Sequence, residues 1–192
     1  LRVLPVDESR WSDLAQLFGR RGACAGCWCM WWRLTKTQFE RGRGAANRAA
    51  LRALVTHGPA PGVLAFVDRT AVGWCAVAPR ADLPRLDLSR VLARVDDAPV
   101  WSIGCLFVAR EYRRGGVSAR LVLEATRYAG RMGAVTVEAY PIDTARENYP
   151  AAFAWTGFAP TFRAAGFAEV ARRSPHRPIM RRSTRSGTRA PG

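Results

Sequence analysis

A chain of 192 residues, 48% of them hydrophobic, is long enough to bury a core as one domain without disulfide staples and too apolar for a disordered polar tract. Its formal charge of +15 points to an anionic partner, either a phosphate-rich small molecule or RNA, without choosing between them. No run approaches the roughly 18 apolar residues of a membrane span.

Residues 1–6 alternate weakly, as a strand does, and Asp7-Glu8-Ser9 starts a helix over about 8–18. Leu1-Arg2-Val3-Leu4-Pro5 lacks the plan of a signal peptide, so a cytoplasmic protein with no membrane partner is expected. The first residue is not Met, and a short leader upstream is expected too. Cys24, Cys27 and Cys29 follow as C-x-x-C-x-C, but a structural zinc site wants four ligands in two pairs, and no second pair exists. An odd total of five cysteines also argues against a disulfide framework. Cys27-Trp28-Cys29-Met30-Trp31-Trp32 therefore reads as an apolar, aromatic wall, and no metal is expected.

Thr35 or Thr37 caps a second helix running to about Thr56, ended by His57-Gly58-Pro59. Residues 62–67 and 71–77 form a hairpin around Asp68-Arg69. Residues 79–98 read as a connection, and 100–108 as an apolar strand. A helix over about 116–132 is stopped by Gly133, as a glycine just past a helix end does. Residues 134–140 are a strand closed by Pro141. Residues 150–165 form a helix interrupted near Gly157-Phe158, and 167–172 and 178–182 are the last strands. From 170 to 192 there are seven arginines and no acid. Residues 183–192 read as a disordered basic tail, and 1–182 as the one domain. The order β-α-α-β-β-β-α-β-α-β-β implies an α/β (α+β) fold: a mixed, mostly antiparallel twisted sheet of about seven strands with flanking helices.

The strongest chemical signal is strand, glycine turn, helix: Cys105-Leu106-Phe107-Val108, then Arg113-Arg114-Gly115-Gly116-Val117-Ser118, then Ala119-Arg120-Leu121-Val122. Glycines at a helix start let a ligand approach the backbone, and the first-turn N–H groups and helix dipole favour phosphate oxygens. No Gly-Lys-Ser/Thr follows, and the G-x-G-x-x-G spacing is missing, so neither a P-loop nor a Rossmann fingerprint is present.

This turn resembles motif A of the GNAT acetyltransferase superfamily, R/Q-x-x-G-x-G/A, with Arg113 and Gly116 matching and Ser118 in place of the final small residue. The likeness extends over about 62–182, through Gly133-Ala134 and the terminal Gly166-Phe167. It implies that Phe107 and Val108 pair with the pantetheine amides of acetyl-CoA, and that Arg113, Arg114, Gly115, Gly116, Val117 and Ser118 hold its phosphates. The strands at 100–108 and 134–140 would splay to form a slot, where an amine attacks the acyl carbon directly. Binding both reactants in line and removing the ammonium proton would supply the acceleration. For the base the sequence offers Glu138 and Asp143, either of which could equally be a structural carboxylate paired with an arginine. The family's tyrosine acid is here Phe162, which leaves Tyr140 or Tyr149 as donor to the thiolate, or none. Trp32, Trp101, Asp143 and Trp155 are candidates for the acceptor pocket, with Trp28 and Trp31 as further wall, and Asp96 and Asp97 could attract a cationic amine.

Three functions follow. The first is an acyl-CoA-dependent N-acyltransferase, as monomer or homodimer, acting on a small-molecule or biosynthetic amine. The second takes aminoacyl-tRNA as donor, with the basic surface holding the tRNA. The third keeps CoA binding as a sensor without catalysis.

Overall fold

In the computed structural model, residues 1–144, 149 and 153–185 are described. Seven strands make one sheet: β1 (Arg2–Pro5), β2 (Gly62–Val67), β3 (Thr70–Pro79), β4 (Trp101–Val108), β5 (Thr136–Ala139), β6 (Ala168–Arg172) and β7 (Pro178–Ser183). Their spatial order is β1-β2-β3-β4-β5-β7-β6. Every neighbouring pair is antiparallel except β4–β5, which are parallel and joined through a helix, as parallel neighbours must be.

Alternation along the strands sends residues to two faces. Val63, Val72, Val77, Ile103 and Leu106 meet the helix α4 (Val117–Arg131), which lays Val117, Leu121, Val122, Ala125 and Tyr128 on them at helical spacing. Leu64, Phe66 and Trp74 point the other way, against α1 (Trp11–Phe18), α2 (Lys36–Arg41), α3 (Ala45–His57) and the Cys/Trp segment. Trp28 is buried there, stacked on Trp11 at 6.1 Å and against Phe18 at 5.5 Å. It is core, not pocket wall.

The expected order of elements is observed, with three local differences. The single helix expected over 35–56 is two, because Gly44 takes φ +85° and breaks it after Gly42; Thr35 starts the first with a reciprocal cap to Gln38. The helix expected over 150–165 is reduced among the described residues to α5 (Ala159–Ala164). Gly157 at φ +78° turns the chain there, and Phe158 bridges Ile142. The sheet also runs past 182: Ser183 is the last residue of β7, and the Thr184 hydroxyl donates to the Ala134 carbonyl at 2.6 Å. Of the expected tail, 186–192 lie outside the described residues. Among the described residues, no helix is long and apolar enough to cross a membrane.

Candidate active site

β4 and β5 pair only from Trp101 to Ile103, against Val137 to Ala139, and then diverge. The ladder with β3 decides which main-chain groups of β4 face the gap. Ala109 donates to Val72 at 2.9 Å, so Phe107, two residues back, is also turned toward β3, opposite Trp74. Leu106 and Val108 present their N–H and C=O groups to the open edge. Of the two residues expected to pair with the pantetheine arm, Phe107 turns its main-chain groups to β3 and away from the gap, whereas those of Val108 and of its neighbour Leu106 face it. The reason is the two-residue alternation, which sequence alone could not phase because a bulge falls at Gly104.

That edge is met by three groups. The Trp32 indole N–H donates to the Gly104 carbonyl at 3.0 Å. The Leu106 N–H donates to the Trp155 carbonyl at 2.6 Å. The Arg113 Nε donates to the Val108 carbonyl at 2.9 Å, tying the turn to the strand end while its terminal nitrogens stay exposed.

After a 3-10 turn at Arg110–Tyr112, Arg114 (φ 63°) and Gly116 (φ 78°) take left-handed backbone, and α4 begins. Among the described residues, none accepts from the main-chain N–H groups of 114–119. The first turn of α4 carries no acid and no side-chain cap, and a Cβ on Gly116 would meet nothing within 4 Å. Open space, free donors and the positive end of a 15-residue helix dipole converge at one point, with Arg113, Arg114 and Arg120 around it. Such an arrangement, built mainly from backbone, has the geometry and the sign of charge that suit an anion.

Across the gap, on the face opposite α4, lies a buried polar network. Glu138 accepts from Arg80 at 2.8 Å, from Arg181 at 2.7 Å and from the Tyr140 hydroxyl at 2.6 Å. Tyr140 also meets Arg80 at 2.6 Å and the Ser102 hydroxyl at 2.8 Å. The side chains of Arg80 and Glu138 are 3% and 1% exposed. Two guanidiniums on one carboxylate make the arrangement of a structural ion pair, the alternative weighed for Glu138 from sequence. Burial, with the Glu138 charge beside it, pushes the Tyr140 phenol well above its usual range. Arg80 was missed from sequence, since one arginine among many in a connecting stretch carries no pattern; its burial beside Glu138 is the only signal.

The other expected residues separate into groups. Trp32 and Trp155 come together at 5.4 Å, with Trp31 at 6.4 and 6.5 Å from them. Trp101 does not join them: it lies on the α4 face against Tyr128 at 6.1 Å, because the strand parity before the bulge sends it there. Asp143 is held by Arg172 at 2.6 Å and Arg163 at 2.9 Å, and Asp96 is bound by Arg181. Neither is a free anion for a cationic amine. Phe162 is fully buried core, and Tyr149 packs on Phe158 at 6.1 Å. Cys29 accepts from the Trp74 indole at 3.1 Å, and burial pushes the Cys27 thiol up to about 12. Among the described residues, no three metal-ligating side chains converge.

The model of the acetyltransferase (GNAT) family matches residues 28–158. An aminoglycoside 6'-N-acetyltransferase complexed with coenzyme A is 12% identical, with TM-score 0.52, covering 97% of this chain and 98% of that one. The aminoglycoside 6'-N-acetyltransferase from Enterococcus faecium is 13% identical, with TM-score 0.52 and the same coverages of 97% and 98%. An acetyltransferase of the GNAT family from Streptococcus pneumoniae is 11% identical, with TM-score 0.52, covering 95% and 98%. These likenesses establish the fold. No curated protein sequence matches. The aminoacyl-tRNA donor finds no support in these matches.

Proposed function

The chain belongs to the acetyltransferase (GNAT) family, with acetyl-CoA as co-substrate, and from that premise we propose an N-acetyltransferase acting on a primary amine within a ternary complex. The observation that carries this reading is the set of free N–H groups at 114–119 beside a β4 edge that has parted from β5.

The residues present fit the donor. The first turn of α4, with Arg113, Arg114 and the glycines, would hold its phosphates; Leu106 and Val108 would orient its pantetheine arm. Bound there, acetyl-CoA supplies an acyl carbon carried on a thiolate leaving group. The Leu106 N–H becomes available to an incoming carbonyl only when Trp155 releases it. Trp32 and Trp155 border the place where the acceptor meets the slot. Glu138, Tyr140, Ser102 and Arg80 hold β4 and β5 at the last rungs of their pairing, so they fix the width of the splay. With those groups locked, the amine gives its proton to water, and alignment of the reactants supplies most of the acceleration.

Thermal shift with acetyl-CoA tests the reading, alongside thiol release on a panel of amines. Stabilisation that is lost in Arg113→Ala/Arg114→Ala, with turnover, supports it. Salt-sensitive stabilisation by bulk tRNA without any effect of acetyl-CoA would overturn it.

A further inference from the structure

We infer that the acceptor is a small amine that also bears a carboxylate and an apolar or aromatic side chain, gripped by Arg33 and the rings of Trp32 and Trp155. The inference rests on the N-acetyltransferase reading above and names its acceptor class.

Arg33 is unlike the other buried arginines. Its side chain is only 14% exposed, yet among the described residues nothing accepts a hydrogen bond from its guanidinium. Its one carboxylate neighbour, Asp82, stands 3.8 Å away and is itself half exposed. Arg80 and Arg181, at 3% and 15% exposure, each make several hydrogen bonds at 2.6–3.3 Å. The nitrogens of Arg33 are not sealed from water, since among the described residues only Asn47 Oδ1 is a buried side-chain polar atom without a partner, so its donors are left open to a ligand. Burial also holds Arg33 below the usual arginine range, with Asp82 offsetting only part of it. An unfilled planar fork is shaped to take a carboxylate with two parallel hydrogen bonds.

Its position is beside the gap. Arg33 follows Trp32, whose indole caps Gly104 of β4. On one side it faces Asp82, next to Leu83, whose Cδ1 would lie 3.7 Å from a Cβ on Gly104. On the other side it lies within electrostatic reach of Cys29, whose thiol contacts that of Cys105. The guanidinium therefore flanks Gly104–Cys105, where β4 leaves β5.

The surrounding charge has the same sign. Arg85 stacks on Trp31 at 3.4 Å, and the nearby Glu40 is already engaged by Arg43 at 2.6 Å. Facing this place are Arg33, Arg85 and the loosely placed Asp82: a net positive rim over aromatic rings. It repels polyamines and aminoglycosides and suits an amine paired with an anion on an apolar body.

The test compares, with the full chain and acetyl-CoA, L-phenylalanine and L-leucine against their amides, spermidine and an aminoglycoside. The acids should exceed the amides in kcat/KM by about tenfold or more, the worth of a charge-assisted pair. Arg33→Ala should erase that difference by raising KM for the acids about 10- to 100-fold, and Arg33→Lys should restore part of it. Amides acetylated as well as acids, a preference for spermidine or the aminoglycoside, or no transfer to any carboxylate-bearing amine would each overturn the inference. The acid–amide comparison needs no variant, so a poorly folding Arg33→Ala leaves it decisive. Acetyl-CoA binding, measured in parallel by calorimetry, separates the failures: no binding sinks the N-acetyltransferase reading itself, whereas binding with transfer to a polyamine sinks only the acceptor class.

Discussion

Leu106 and Trp155 share a 2.6 Å main-chain hydrogen bond across the gap between β4 and the chain that follows β5. The segment holding Trp155 is therefore anchored on the same edge that a donor would use. Hydrogen exchange read by mass spectrometry should show opposite responses to acetyl-CoA: slower exchange at 114–119 and faster exchange at 153–158. Protection of both segments together would mean that Trp155 and the donor do not compete for Leu106.

Ser118 lies in the first turn of α4, where a negative charge favours the helix dipole by about 0.3–1 kcal/mol. Ser118→Glu should thus leave the melting temperature unchanged or slightly raised. It also places an anion where the phosphates would sit, so acetyl-CoA should bind at least about tenfold more weakly. Unaltered acetyl-CoA affinity in this variant would move the anion site elsewhere.

Glu138→Gln removes the buried charge between Arg80 and Arg181, which keep only their outer, more exposed partners Asp87 and Asp96. Breaking such a pair costs about 3–5 kcal/mol, which for a domain of this size lowers the melting temperature by about 10 °C. Tyr140→Phe should cost less, about 1–3 kcal/mol, for the groups it leaves unpaired. Well below the unfolding transition, both should keep kcat within about tenfold of the parent. A hundredfold drop in kcat with no change in melting would return Glu138 to the role of base.

Asp143 is held below the usual carboxylate range by its hydrogen bonds to Arg172 and then Arg163. A carboxyl depressed in the folded state adds stability above its unfolded pKa, about 3.9, and loses it as pH falls through the folded value. Asp143→Asn should therefore melt lower than the parent at pH 6, with the difference closing toward pH 3. A difference that persists unchanged at pH 3 would mean that the ion pairs are not its source.

Gly104 has no room for a side chain: a Cβ there would lie 2.9 Å from Trp32 Cδ1. Gly104→Ala should push the indole off the Gly104 carbonyl, cost about 1–3 kcal/mol by overpacking, and flatten the near-ultraviolet circular dichroism of the tryptophans. An unchanged spectrum and melting point would show that Trp32 is not fixed there.

The element order and the glycine turn could be read from sequence, because they rest on local rules: Gly115-Gly116 before an amphipathic stretch, Gly133 after it, prolines at strand ends. The failures share a physical cause. Whether Phe107 or Leu106 faces the gap depends on hydrogen-bond phase, set by a bulge and by a partner strand some thirty residues away, and neither can be read locally. Trp101 was grouped with Trp32 and Trp155 by residue type, whereas the side of the sheet it occupies depends on the same phase. The break in the helix expected over 35–56 is local, at Gly42 and Gly44, and is legible in the sequence. Arg80 and Arg33 could not be singled out, since what distinguishes them is how many acceptors surround each one, a property of the packed chain.

In the sheet, β1 to β4 and β5 to β7 are two antiparallel plates joined by a parallel seam from Trp101 to Ile103. So short a weld makes the sheet a hinged pair of leaves, whose stiffness depends on whatever bridges the open length beyond it. A donor lying in that opening would touch both leaves at once. Its arrival would brace the whole architecture, and its departure would leave the leaves held by the seam, the buried Arg80–Glu138 pair, the Trp155 carbonyl and the core that both share with α4.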